Sequence, residues 1–238
     1  SGNVQVVTLA LTGFLLGLLD GFTNKLEAVT PAHERLGVDV LVILGHVQTT
    51  TQTFVHGTAI VLGGQAQLGL DGRVGAHLLL ACAKKKQSVR ATYRREEHLE
   101  KIRALFQKLA PEDPECFGRV EWVKTHLNDL FGLNLAFEGV TQVYHCAGKV
   151  SLAQYHKEKL NKTNIEGTAN IVNLCLKHRV KKLGYVSSIS ALGVEKEVKV
   201  VNENQMWSMN QNHTAYAYSK YGAELEVWRG SQEGLDVI

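Results

Sequence analysis

Lys182–Ser187 (KLGYVS) reads as a short β-strand running into a second serine, Ser188, and about 30 residues later Ala215–Trp228 (AYAYSKYGAELEVW) reads as a helix. Tyr216 and Lys220 lie four residues apart, which puts both side chains on one face of that helix. A nearby ammonium favours the phenolate form of tyrosine and so suits the phenol to proton transfer near neutral pH. The strand ending in Ser187-Ser188-Ile-Ser190 can supply a hydroxyl to hold a carbonyl or alcohol oxygen. A Tyr-x-x-x-Lys pair alone is common; one that follows a strand ending in paired serines is far more specific.

The same strand–helix rhythm extends back from this point. Val140–Cys146 (VTQVYHC) reads as a strand and Tyr155–His178 as one long helix. Further upstream, Val120–Val123 and Ser88–Tyr93 read as strands, and Ala59–Leu62 is a β-branched run closed by Gly63-Gly64. Glu96–Leu109 repeats Leu99, Ile102, Phe106 and Leu109 at helical spacing, and Gly75–Lys85 reads as another helix. Asp236–Ile238 reads as a last strand cut short. Strands separated by helices of ten or more residues predict right-handed βαβ units, hence an α/β fold with a Rossmann-type, doubly wound parallel sheet.

Gly69, Gly72 and Gly75 are spaced G-x-x-G-x-x-G and lead into the helix expected from Ala76. Such glycines permit a tight turn, close approach of backbone to a pyrophosphate, and close helix–strand packing, with free N–H groups of the helix start facing the phosphates. The pattern is weak evidence in a chain with 22 glycines. Gln65-Ala66-Gln67-Leu68 is a poor buried strand, and Asp71 brings a carboxylate among the phosphate-facing residues. After the second strand, Arg94 and Arg95 precede the acids Glu96 and Glu97, which favours a 2′-phosphate over a ribose hydroxyl and thus NADP over NAD.

Val143-Tyr-His-Cys-Ala-Gly148, Asn164-Ile-Glu-Gly-Thr168, Tyr185-Val-Ser-Ser188 and Tyr216-Ala-Tyr-Ser-Lys220 follow one another over about 180 residues. In this order and spacing the chain resembles the extended short-chain dehydrogenase/reductases, the NAD-dependent epimerase/dehydratase group that includes the dihydroflavonol-reductase-like enzymes. The resemblance implies an NAD(P)-dependent oxidoreductase in which Ser188, Tyr216 and Lys220 are catalytic. It also implies that Gly69, Gly72, Gly75, Arg94, Ala147, Gly148 and Lys220 bind the cofactor, while Asn164 braces the long helix against the fourth strand. Tyr218 and Tyr221 are expected to be packing residues. Two alternatives stay open: a nucleotide-sugar epimerase or dehydratase with tightly held NAD, and a non-catalytic nucleotide-binding module.

The pattern departs from the family at several points. His126 stands where an Asp usually receives the adenine amino group, which weakens adenine recognition or transfers it to Asn128. In the resembling proteins the sixth strand continues into a Pro-Gly turn and a C-terminal region that builds much of the substrate pocket. Neither lies within these residues, so the resemblance implies a truncated domain lacking its C-terminal substrate region.

The bulk properties agree with a small-molecule enzyme. A net charge of +3, with Lys and Arg mixed among Glu, gives no one-signed face for nucleic acid. The cysteines Cys82, Cys116, Cys146 and Cys175 show no close metal or redox spacing, and are expected to be reduced thiols of a cytoplasmic protein with no metal. Val6–Leu19 is an apolar run of 14 residues, short of a membrane span, and it lacks the features of a secretory signal. Residues 1–57 stay unassigned, with Val38–Leu44 a strand candidate, and residues 58–238 form the expected cofactor-binding domain. The expected partner is a small-molecule substrate, and a homodimer is left open.

Overall fold

The computed structural model describes residues 58–62, 71–151, 153–192, 205, 207–208 and 213–238. Expectations for residues 1–57, including Val6–Leu19 and Val38–Leu44, and for Gly63, Gly64 and Gly69 lie outside these residues.

The described chain runs β1 (Thr58–Leu62), α1 (Asp71–Lys84), β2 (Val89–Tyr93), α2 (Glu96–Leu109), β3 (Val120–Lys124), α3 (Leu130–Ala136) and β4 (Val140–His145). Next come α4 (Lys157–Leu160), a π-helical segment (Asn161–Glu166), α5 (Gly167–Lys177), β5 (Lys182–Tyr185) and α6 (Ala215–Gln232). Short 3₁₀ turns cover Cys116–Arg119, Gln154–His156 and Ile189–Ala191.

The five strands pair in parallel in the order β3-β2-β1-β4-β5. Val237 adds a parallel bridge to Leu183 beyond β5, where Gly234 (φ +97°) has turned the chain back from the end of α6. Successive side chains of β4 divide between two cores, as a strand covered on both faces requires. Val143 joins Leu133, Phe137, Ile171, Val172, Leu183, Tyr185 and Val227 on one face. Tyr144 joins Leu79, Leu80, Val89, Ala91, Phe106 and Val120 on the other. The sheet is therefore doubly wound, and its topological switch lies between β1 and β4, where ligands bind at the carboxyl ends of the strands.

Several boundaries differ from expectation. Helix α1 begins at Asp71, not Ala76, so Gly72 and Gly75 lie within its first turns. The stretch expected as one helix over Tyr155–His178 is broken by the π-helical segment. Helix α3 carries no strong helical pattern; it is held by its N-cap Asp129, whose carboxylate accepts the Gly132 amide at 2.9 Å and the Thr125 hydroxyl at 3.0 Å. The Gly132 amide and, after it, the Thr125 hydroxyl hold the Asp129 carboxyl below the usual carboxylate range. A Cβ at Gly132 would run into Asp129 and Thr125, which is why this turn takes glycine. All four cysteines are free and buried, and burial raises the thiol of Cys82 to about 11 and that of Cys146 to about 12. No helix among the described residues is long and apolar enough to cross a membrane.

Candidate functional site

Helix α6 carries the residues on which the sequence reading turns. Thr214 caps it, its hydroxyl accepting the Ala217 amide at 3.1 Å. Ala215, Ala217, Ser219, Lys220, Ala223, Glu224, Val227 and Gly230 face inward, so the buried stripe is made mostly of small residues. Small residues allow close packing: a Cβ at Gly230 would press on Val172 of α5. This approach lets Lys220 reach the sheet. Its Nζ donates to Tyr185 Oη at 2.7 Å and to the Val186 carbonyl at 3.0 Å, and lies 4.5 Å from the Tyr185 ring centroid. Tyr216 sits half-buried one turn earlier on the same face, close enough that its charge would raise the Tyr185 phenol.

The exit of β5 supplies the serines. Ser188 Oγ accepts the Ser190 amide at 3.2 Å and caps the turn Ile189–Ala191, which leaves its own proton to donate. Ser187 is buried and donates to the Glu224 carboxylate through a short hydrogen bond, tying β5 to α6 one turn beyond Lys220. Burial raises the Glu224 carboxyl above its ordinary range, against the opposing effects of Ser187 and Lys220.

Asn164, buried in the π-helical segment, behaves as the brace expected of it. Its Oδ1 accepts the Lys149 amide at 2.7 Å, and its Nδ2 donates to the Lys149 carbonyl at 2.9 Å and to Ser219 Oγ at 2.8 Å. One amide thus joins the exit of β4, the central helix and α6. Cys146 and Ala147 are buried at that exit and Gly148 is half-buried, with ordinary room around the position of a Cβ.

The residues expected around adenine and its ribose lie at the far end. Arg94 is exposed at the end of β2 and makes no ion pair among the described residues. Its acidic neighbours are already engaged, Glu97 with Arg95 at 3.1 Å and Glu96 with Lys124 at 3.0 Å. His126 is exposed and accepts the Asn128 amide at 3.3 Å. Asn128 Nδ2 donates to the Lys162 carbonyl at 3.3 Å, while its Oδ1 is buried without a partner. Gly75 is buried in α1, and Gly69 falls outside the described residues.

Sequence reasoning did not single out the polar groups beneath Lys220. His145 is fully buried; its Nε2 lies 2.9 Å from Thr168 Oγ1 and its Nδ1 has no partner. Burial, with Lys220 adding to it, pulls the imidazole down to about 3. The signal was present in the strand itself, since a histidine and a tyrosine at inward positions of buried strands call for partners. Tyr218 and Tyr221 do pack, as expected: Trp207 stacks between His213 and Tyr221, with centroids 3.7 and 4.3 Å away, and meets Tyr218 edge-on at 5.5 Å.

Comparison with known proteins converges on one group. The model of the 3-beta hydroxysteroid dehydrogenase/isomerase family matches residues 60–234. A putative dihydroflavonol 4-reductase of Synechocystis sp. is 29% identical over 170 residues, covering 71% of this chain and 46% of that protein. The terminal R domain from the myxalamid PKS-NRPS biosynthetic pathway superposes with a TM-score of 0.63 at 23% identity, covering 77% of this chain and 48% of that one. A short-chain dehydrogenase/reductase superfamily protein from Agrobacterium tumefaciens, solved with bound NAD, gives 0.57 at 21% identity, covering 76% and 47%. The chain spans just under half the length of each of these three proteins.

Proposed function

Since the chain belongs to the 3-beta hydroxysteroid dehydrogenase/isomerase family, we propose that it is an NAD(P)-dependent oxidoreductase that interconverts a carbonyl and an alcohol. The observation that carries this reading is the placement of Lys220. Its buried ammonium is fixed at the exit of β5, one helical turn from Tyr216 and on the same face, beside the serines that leave the strand.

In this reading Ser188 donates a hydrogen bond to the substrate oxygen and Tyr216 transfers the proton to or from it. Lys220 lowers the cost of the phenolate by its charge and would hold the nicotinamide ribose. A nicotinamide, when bound, would supply or accept the hydride. Gly69 and Gly72 would face the pyrophosphate and Gly75, buried in α1, would let the helix pack closely on the sheet, with Ala147 and Gly148 along the cofactor beyond β4. The donor set at β2 fits a 2′-phosphate: Arg94 is exposed, with no ion pair among the described residues, and both following acids are engaged elsewhere. NADP is therefore the proposed cofactor, and Asn128, whose Oδ1 lacks a partner, the proposed neighbour of adenine.

The test is a fluorescence titration with NADPH and NADH. Saturable binding that favours NADPH is expected, and Arg94→Ala should weaken NADPH by about tenfold or more, the 1.5–3 kcal/mol of a charged hydrogen bond, while leaving NADH nearly unchanged. No saturable binding at about millimolar cofactor, roughly 4 kcal/mol of affinity, would refute the cofactor assignment. With a substrate in hand, Tyr216→Phe should lower turnover by about 10² or more at unchanged cofactor affinity. NAD that survives purification would instead favour epimerase or dehydratase chemistry on the same residues.

A further inference from the structure

Lys220 is a deeply buried ammonium whose two acceptors just described, Tyr185 Oη and the Val186 carbonyl, are both uncharged. The Tyr185 ring lies beneath it, and the Thr168 hydroxyl hydrogen-bonds the same phenol before reaching His145. The titratable groups facing the ammonium are Tyr216 and Glu224 on α6, Tyr185 on β5 and His145 on β4. Burial drives the Tyr185 phenol far above its usual range and the His145 imidazole far below, so both are uncharged at neutral pH. Glu224, the acid among them, accepts the Ser187 hydroxyl, and burial raises its carboxyl above the ordinary range.

A carboxylate in the place of Tyr185 would fix the ammonium equally well, but its charge would cancel much of the field reaching Tyr216. A phenol that cannot ionise supplies a hydrogen bond and a polarizable ring without that cancellation. We propose that Tyr185 is a positioning residue, a support that fixes the Lys220 ammonium without adding a negative charge of its own to offset the field on Tyr216. This rests on the reading of Tyr216 as the proton-transfer residue and goes beyond it by naming what sets that residue's acidity.

The test uses the whole chain carrying tyrosine labelled with ¹³C at Cζ, with Tyr216→Phe identifying the Tyr216 signal. In Tyr185→Phe the ring remains and the hydroxyl is lost. Tyr216 should then titrate higher by about one pH unit, or about tenfold less phenolate at a given pH, as expected when a neighbouring charge loses its fixed position. In a Lys220→Met background the same Tyr185→Phe change should leave the Tyr216 titration where it was, because Tyr185 acts through the lysine. An unmoved Tyr216 titration in a Tyr185→Phe chain that melts like the parent overturns the proposal. So does an equal shift with and without Lys220.

Should Tyr185→Phe fail to fold, the parent chain with ¹⁵N-labelled lysine side chains carries the test. The Lys220 ammonium should exchange slowly with water and show a nuclear Overhauser contact to the Tyr185 ring, and lack of either overturns the proposal. None of these measurements uses cofactor or substrate. A parent chain that binds no NADPH would thus refute the oxidoreductase reading without deciding the role of Tyr185.

Discussion

Replacing Asn164 by alanine should destabilise the chain far more than its small size suggests. The side chain is buried and makes three hydrogen bonds, two to the backbone of Lys149 and one to Ser219. At about 1 kcal/mol net for each bond the loss is about 3 kcal/mol, and unmet desolvation of the stranded groups can carry it to about 4. Water entering the vacated space can return part of this, so the expected range is about 2–4 kcal/mol. Urea unfolding followed by circular dichroism should show a lower midpoint at unchanged slope, since the surface exposed on unfolding hardly changes. Asn164→Asp should do no better at neutral pH, because a carboxylate oxygen would then face the Lys149 carbonyl. A loss below about 0.5 kcal/mol for the alanine variant, the level of an ordinary surface change, would refute the brace.

Two further outcomes follow from groups away from the reacting atoms. His145 stays neutral in the fold, with its pKa drawn down to about 3, but takes up a proton on unfolding. The unfolded chain therefore binds the extra proton below pH ~6.5, and stability should fall with pH by up to about 1.4 kcal/mol per unit between there and the folded value; His145→Gln should flatten that slope in acid titrations, and an unchanged slope would refute the assignment. Asp129→Ala should cost about 1 kcal/mol through loss of the α3 cap, with Asp129→Asn recovering most of it; equal losses for the two, read from urea midpoints, would mean that the charge and not the cap matters.

Legibility in the sequence depended on how strongly each residue's neighbours are implied by its pattern. Helix α2 was predicted at its observed limits, because Leu99, Ile102, Phe106 and Leu109 recur at helical spacing among charges. The parallel sheet followed from alternation of strands and helices, and the placing of Tyr216 and Lys220 one turn apart on a helix from their spacing. Helix α3 was not legible: it is short, contains Gly132, and leaves Leu130, Phe131 and Leu135 exposed, so no apolar stripe marks it. The onset of α1 was placed late because glycines at 72 and 75 resemble a loop by composition, whereas they lie inside the helix. The support beneath Lys220 was hidden for another reason. Tyr185, Thr168 and His145 come from three separate elements, and local spacing carries no information about contacts between them.

The π-helical segment also governs which changes of chain length this fold can absorb. A π turn uses more residues for the same arc than an α turn, so a helix that passes through Asn161–Glu166 enters α5 with a phase that a regular helix of the same length would not give. Removing a single residue from 161–166 would let the helix become regular with little change of phase, since five residues at 3.6 per turn sweep about 500°, close to the arc of six residues in the wider π turn. Ile171, Val172 and Cys175 would then keep their places in the core, and the change would fall on residues within the segment, Asn164 among them. A surface substitution at Lys162 or Glu166 should be mild, and deletion of the same residue should be felt at Asn164 and not in the core of α5.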